Sequence, residues 1–395
     1  MQNYIWITLV IILTIVSLNI SKKLNYSNYN IKKMLTKIDK SGLFMALGTK
    51  IGVGSIIGTA SSILIGGPGT ILWTIIFTLI FSSLIYAESY LGKKYKDTKT
   101  NISGPYFYIR KGLKNKTLAI IVTLLLIVTY SHFFLMIQTN TIIEVFHNNV
   151  CVTIAIIIFL ILTTYLNISE TLKVLNKVVP LMCAIFILIG SYIITKNHTM
   201  LLDILKIILK DALSYKGLTI GLVISIKRSI FQNELLVGTT SISSGISDED
   251  KKTTAYTQIL GVYFISFIIC TLTAFLILIY LENTEIQFTS YNELLLNVFN
   301  YHLGDFGAII FITEIILFSI TTILSGFYIG NSLMNYFTSN KYVKISIKIS
   351  MLIACVFGLI FKNDLIWLLI DGILFIIIIL NGYAIFKLKG EVNDR

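Results

Sequence analysis

The chain of 395 residues is 55% hydrophobic and only 13% charged. Soluble domains carry about 25% charged residues, so this composition excludes a soluble enzyme or binding module and describes a chain that crosses a membrane many times. The net charge of +12 would suggest nucleic acid for a soluble protein; here the placement of basic residues between apolar runs accounts for it.

The first twenty residues, MQNYIWITLVIILTIVSLNI, lack a basic leader region and a small-residue cleavage site. They read as a retained spanning helix. Apolar runs of about 17–25 residues each suffice to cross a bilayer as a helix. Eleven are predicted, at about 3–20, 42–65, 70–91, 117–146, 150–168, 178–195, 216–236, 254–281, 306–336, 345–361 and 364–386. With the N-terminus outside and the C-terminus cytoplasmic, the inner segments collect Lys22, Lys23, Lys32, Lys33, Lys37 and Lys40, then Lys93 to Lys116. Later ones hold Lys173, Lys177, Lys227, Arg228, Lys251, Lys252, Lys341, Lys344, Lys348, Lys387, Lys389 and Arg395. Lys196, Lys206, Lys210, Lys216 and Lys362 fall outside, and Lys50 alone lies within a span. The outer loop 282–305 has Glu282, Glu285, Glu293 and Asp305 and no lysine or arginine. This is the positive-inside asymmetry of a cytoplasmic-membrane protein. The stretch 92–116 reads as a solvated cytoplasmic loop, and LLDILKIILKDAL at 201–213 as an amphipathic surface helix. Cys151, Cys183, Cys270 and Cys355 sit in apolar runs, and His132, His147, His198 and His302 show no ligand spacing, so no disulfide framework, cofactor or metal cluster is suggested.

Spans two and seven are interrupted. Span two contains GTKIGVGS, and span seven, GLTIGLVISIKRSIFQNELLVG, turns polar after about ten positions. They open two five-helix sets, 41–196 and 216–387, preceded by an extra helix and basic loop in 1–40, all within one membrane domain, 1–395. An odd number of helices per set inverts one set relative to the other. Paired interruptions in inverted halves point to a transport site near the midplane, where unwound backbone meets an anion or a cation. Glycines 48, 52, 54 and 58 also suit close helix packing, and both readings stay open. Lys50 lies about 13 Å into its span at 1.5 Å per residue. An intramembrane lysine costs roughly 2.5–3.5 kcal/mol on insertion scales, so it faces a cavity, a carboxylate or unwound carbonyls. Glu88, Glu144, Glu314 and Asp371 leave proton coupling open. No metalloprotease motif, hydrolase triad, phosphate loop or repeated pore loop is present, which argues against an enzyme and a channel.

At these residues the chain resembles the alanine or glycine:cation symporter family, the sodium:alanine symporters. IGVGSIIGTASSILIGGPG resembles that family's V-G-T-G-N-I-x-G-V-A-x-A-I-x-x-G-G-P-G, and KRSIFQNELLVGTTS its K-R-G-x-F-S-N-E-A-G-x-G-S. SGPYFYIRKGL, QTN at 138–140, VLNKVVPLM, ICTLTAFLIL and FSITTILSGFYIGN continue the likeness over about 41–390. The resemblance implies an all-α fold of the LeuT type, a five-plus-five inverted repeat with one added helix, and sodium-coupled uptake of an amino acid. It places Lys50, Val53, Gly54, Ser55, Thr59, Gln138, Asn140 and Gly326 at the substrate. Gly48 and Ile51 carbonyls with Thr321 and Thr322 hydroxyls would face sodium. Four departures from the family cover six positions: Val53 and Ser55 replace Thr and Asn, Ile265 an Asp, Gly326 a Trp, and Leu235 with Leu236 small residues. The implied consequences are one retained cation site and a substrate bulkier than alanine. Proton-coupled or cation-independent transport, and a non-transporting sensor, are the alternatives; a monomer suffices for each.

Overall fold

The computed structural model describes residues 2–22, 24, 38, 40–98, 102–146, 149–165, 168–285, 288, 290–337, 340–361 and 363–392. Expectations placed on Lys23, Lys32, Lys33, Lys37, Lys99, His147, Lys362 and Arg395 lie outside these residues. Among the described residues the regular elements are all helical. In chain order they are α1 (Gln2–Ser21), α2 (Lys40–Lys50), α3 (Val53–Gly66), α4 (Thr70–Lys94), α5 (Lys116–Val145), α6 (Val150–Tyr165), α7 (Ile168–Lys196) and α8 (Leu201–Ala212). The second half adds α9 (Leu222–Asn233), α10 (Thr239–Ile246), α11 (Lys251–Asn283), α12 (Tyr291–Leu303), α13 (Phe306–Met334), α14 (Lys341–Gly358) and α15 (Asn363–Leu388).

Six helices are long and apolar enough to cross a membrane: α4, α5, α7, α11, α13 and α15. The pair α2–α3, bent by 44°, makes a seventh. The protein is therefore a polytopic helical membrane protein, and by length and composition seven of the eleven expected spans are long and apolar enough to cross. The other four fall short for local reasons. The described apolar stretches of α1 and α6, Trp6–Ser21 and Val150–Thr163, are short. Helix α9 stops at a polar break after 12 residues, and α14 carries Lys341, Lys344 and Lys348. Large apolar side chains on α6, α7, α14 and α15, such as Ile158, Leu188, Ile353 and Leu368, face outward, as surfaces in contact with lipid do.

Helix α4 is the central post. Its Tyr86-to-Leu91 segment is buried on every side, because α1, α9, α10 and α11 all pack around it. The two interrupted helices cross beside it: α2 packs on α10, and α3 on α9. The first half of one thus meets the second half of the other, so their chain directions oppose. Short side-chain caps set the helix starts. Asn115 accepts from the Leu118 amide, Asp250 from Lys252 and Thr253, and Ser290 from Glu293.

Of two basic segments, one differs from the sequence reading. Lys227 and Arg228, counted with the inner segments, lie within α9, where Lys227 Nζ lies 5.4 Å from the Trp6 ring centre. The stretch 92–116 is not simply solvated: Tyr106, Phe107, Tyr108 and Ile109 turn inward as a short helical segment. Tyr106 stacks on Tyr336 at 5.2 Å, and Tyr108 donates to Asn381. Aromatic residues inside a basic stretch find the core.

The GGPG turn between α3 and α4 rests on α8. Gly67 has φ +96°, a conformation that L side chains avoid, and a Cβ on Gly69 would collide with the Ala212 backbone. The Gly69 amide donates to Asp211 Oδ2 at 2.8 Å, and Trp73 Nε1 to the Ala212 carbonyl at 3.2 Å. Helix α8 buries Ile204, Ile208 and Ala212 and exposes Leu202 and Leu209. It is the amphipathic element its sequence predicts. Asp211→Ala leaves a partly buried amide unpaired and is expected to lower stability by about 1–3 kcal/mol. Thermal unfolding in detergent followed by tryptophan fluorescence measures this; an unchanged midpoint would show that α8 does not hold the turn.

Candidate functional site

The first break lies between α2 and α3. Helix α2 ends at Lys50, and Gly52 precedes α3 in an extended conformation with no side-chain cap. The Ser55 amide bonds back to the Gly52 carbonyl at 3.1 Å, while the Val53 and Gly54 amides lie without a side-chain cap at the positive end of a helix dipole. Helix α13 runs directly behind. Thr322 Oγ1 donates to the Gly48 carbonyl at 3.2 Å, and a Cβ on Gly52 would collide with that same hydroxyl. Gln138 Oε1, from α5, lies 3.5 Å from the same position and has no partner. Ser325 Oγ is likewise buried and unpartnered beside Gly48. Neutral oxygens from α2, α13 and α5 thus converge on the break.

The second break joins α9 to α10 through Glu234 (φ +50°), Leu236 (φ +56°) and Gly238 (φ +111°). Left-handed backbone costs a non-glycine residue roughly 1–2 kcal/mol, and Leu236 stands where the resemblance expects a small residue. Asn381 from α15 clamps it, donating to the Leu236 carbonyl at 2.8 Å. Glu234 turns back toward the first break. Its Oε2 lies 3.6 Å from Lys50 Nζ, both side chains being 1% exposed. It also accepts from Thr239 Oγ1 at 2.6 Å and Thr49 Oγ1 at 3.0 Å. Lys50 Nζ donates in addition to Thr240 Oγ1 at 3.3 Å. Lys50 is therefore matched by a carboxylate from the other broken helix.

Above the first break stands a column of rings. Phe231 lies against Gly54, where a Cβ would collide with it. It stacks on Phe134 at 4.8 Å and meets Trp367 at a tilt, 4.6 Å between ring centres, and Phe134 stacks on Tyr130 at 4.4 Å. The Arg228 guanidinium caps the column, 4.4 Å from the Trp367 ring centre, a favourable cation–π arrangement. Behind α3, a neutral network links Asn233, Thr78, Ser266 and Gln232. A cavity of about 10 Å³, room for one water, lies between Thr59, Ser62, Thr70, Thr74 and Gln232.

The sequence-predicted residues divide accordingly. Gly48, Ile51, Gly54, Gln138 and Thr322 gather at the first break. Ser55 donates to the Gly52 carbonyl at 2.8 Å and Thr59 to Ser55 at 2.6 Å, so both hydroxyls brace α3. Val53 is buried and offers no polar group. Thr321 bonds back to Phe318 at 3.0 Å. Asn140 is not brought to the break: its amide caps the end of α14, donating to Gly358 at 2.9 Å and Phe361 at 2.8 Å. Gly326 borders no open space, since Leu135 and the Tyr130 carbonyl of α5 press against it. Leu135 and the Tyr130 carbonyl occupy the space that a side chain at position 326 would need. Ile265 is fully buried in α11. Sequence reasoning did not name Glu234 as the Lys50 partner or Ser325 as a neighbour of Gly48. The latter signal was present, since Ser325 lies one helical turn beyond Thr321 and Thr322.

Residues 4–395 match the family model described as the sodium:alanine symporter family. The amino-acid carrier protein AlsT of Bacillus subtilis is 27% identical over 364 residues, covering 88% of this chain and 77% of that protein. The probable sodium/glutamine symporter GlnT of the same organism is 26% identical over 361 residues, with 88% and 75% covered. The sodium/alanine symporter AgcS of Methanococcus maripaludis is 25% identical over 369 residues, with 89% and 81% covered.

Removing one member of a buried ion pair strands the other charge, at a cost of about 3–5 kcal/mol, whereas replacing both by apolar residues is often neutral. Lys50→Met and Glu234→Met are each expected to destabilise by that amount, and the double variant by clearly less. Unfolding midpoints of the three variants in one detergent make the comparison; strictly additive losses would show that the two side chains do not act as a pair.

Proposed function

The chain belongs to the sodium:alanine symporter family, and on that premise we propose that it is a secondary active transporter moving an amino acid together with sodium across the cytoplasmic membrane. The observation that carries this reading is the contact between the Thr322 hydroxyl and the Gly48 carbonyl at the first break. Sodium is a hard cation that exchanges its water for neutral oxygens, and the Gly48 carbonyl, Thr322 and the unpartnered Ser325 and Gln138 supply them at one place. The uncapped amides at the start of α3 suit the substrate carboxylate, and Phe231 walls the same position. The cargo in this reading is a small neutral amino acid; relatives named for alanine and for glutamine bracket the size. The packed surroundings of Gly326 favour the smaller end of that range over the bulkier substrate its missing Trp suggests.

The reading extends to architecture. Eleven crossings with the N-terminus outside, α1 preceding inverted repeats in 41–196 and 216–387, agree with the opposed directions of the two broken helices and with their pairing, α2 on α10 and α3 on α9. Movement of one repeat against the other would open the breaks to each side in turn.

Purified protein in liposomes, given a panel of labelled amino acids with and without an inward sodium gradient, tests the function. Uptake of alanine or a similarly small amino acid is expected only with sodium, and equal uptake in choline would remove the sodium claim. Thr322→Val is expected to weaken apparent sodium affinity on the order of tenfold, about 1.4 kcal/mol. Thr321→Val, whose hydroxyl already bonds to Phe318, is expected to do less. The opposite order would assign the ion to Thr321.

A further inference from the structure

The centre between the two breaks holds more carboxyl groups than ammonium groups. Glu88 from α4 and Glu234 from the second break are both buried, as is Lys50 from α2, and Glu88 lies within electrostatic range of the other two. The remaining titratable groups facing them are Tyr108, from the segment after α4, and Tyr130 from α5, with Tyr336 beyond Tyr108. Helix α10 contributes the neutral hydroxyls of Thr239 and Thr240 and the Ser241 amide. Full ionisation would leave one uncompensated negative charge inside an apolar bundle, which proteins avoid by retaining a proton.

The oxygens are served unequally. Glu234 Oε2 has the Lys50 ammonium and two threonine hydroxyls. Glu88 has no cation or hydroxyl donor: the Ser241 amide donates to Oε1 at 3.3 Å, the Gly238 amide also faces the carboxyl, and Oε2 has no hydrogen-bond partner. The Tyr130 hydroxyl faces Thr239 and Glu234 from α5. The surroundings of Glu234 suit a carboxylate, and those of Glu88 a neutral acid.

We propose that Glu88 and Glu234 form a proton-binding site that holds one proton, resident on Glu88 while Lys50 pairs with Glu234, and that the proton exchanges with water when the two breaks separate. The Glu88 O–H bond breaks, its electron pair stays on the carboxylate, the proton passes to water, and water entering the separated breaks solvates the one carboxylate that Lys50 does not match. Closing the breaks requires the proton back. Raising the pH empties the site and slows closure, so uptake falls on the alkaline side. The role in turnover rests on the symport reading above; the protonation of Glu88 does not.

Infrared spectroscopy of the full-length protein in lipid reports protonated carboxyl groups directly through their carbonyl stretch. The wild type is expected to show that band at neutral pH and Glu88→Gln to lose the Glu88 component. Glu314→Gln, which removes another buried carboxyl with both oxygens unpartnered, is expected to leave that component in place. An unchanged band in folded Glu88→Gln overturns the proposal. In liposomes, uptake of labelled alanine is expected to fall with rising pH in the wild type, and the profile of Glu88→Gln to be flat; a flat wild-type profile overturns the role in turnover. If the wild type accumulates none of the labelled amino acids, the symport reading fails, while a Glu88 band still supports the site.

Discussion

An ammonium group carried into the middle of an apolar bundle must find its counter-charge there, because water is too far away to supply one. Lys50 finds it in Glu234, 3.6 Å away, and much of the interior is arranged to make that meeting possible. Glu234 reaches Lys50 only because the chain after α9 turns through left-handed backbone at Glu234 and Leu236. That turn persists because Asn381 holds the Leu236 carbonyl, while Tyr108 bonds to Asn381 in turn. The inward fold of the segment after α4, which looks unmotivated by itself, thus supplies the outermost support of a charge pair at the centre.

The same constraint explains which polar residues are neutral. Around the ion cluster the supporting groups are threonines, serines and amides: Thr49, Thr239 and Thr240 at the pair, Asn233, Thr78 and Ser266 behind α3. Hydroxyls satisfy lone pairs without adding charge to be matched. The bundle is thereby polar where its helices break and apolar where they face outward. Family membership over residues 4–395 fits this division, since a transporter must present polar groups to its cargo without exposing them to lipid.

Much of the organisation was legible from residue order. The glycines around Lys50 marked the first break, the polar stretch QNELL marked the second, and LLDILKIILKDAL declared its own amphipathic face. Hydropathy failed where it averages over a local exception. Lys227 and Arg228 count with the inner segments by their charge, yet each lies over a tryptophan ring that a linear reading cannot see. Gly326 implied an empty wall, but Leu135 and the Tyr130 carbonyl occupy that space. Asn140 sits two positions from Gln138, but on a helix that spacing sends side chains to nearly opposite faces, and Asn140 closes α14 instead. Pairing across almost two hundred positions, as between Lys50 and Glu234, has no signature in a single sequence.

The ring column has a mechanical meaning. Tyr130 and Phe134 belong to α5, Phe231 and Arg228 to α9, and Trp367 to α15. Stacked planes slide sideways more readily than they separate, so the Phe134–Phe231 stack lets α5 and α9 shear across one another, while the tilted Trp367 ring holds α15 against that joint. A pivot of that kind sits directly over Gly54, the one residue in α3 whose lack of a side chain admits the Phe231 ring. The glycine is therefore the seat of a bearing as well as a point of access to the backbone.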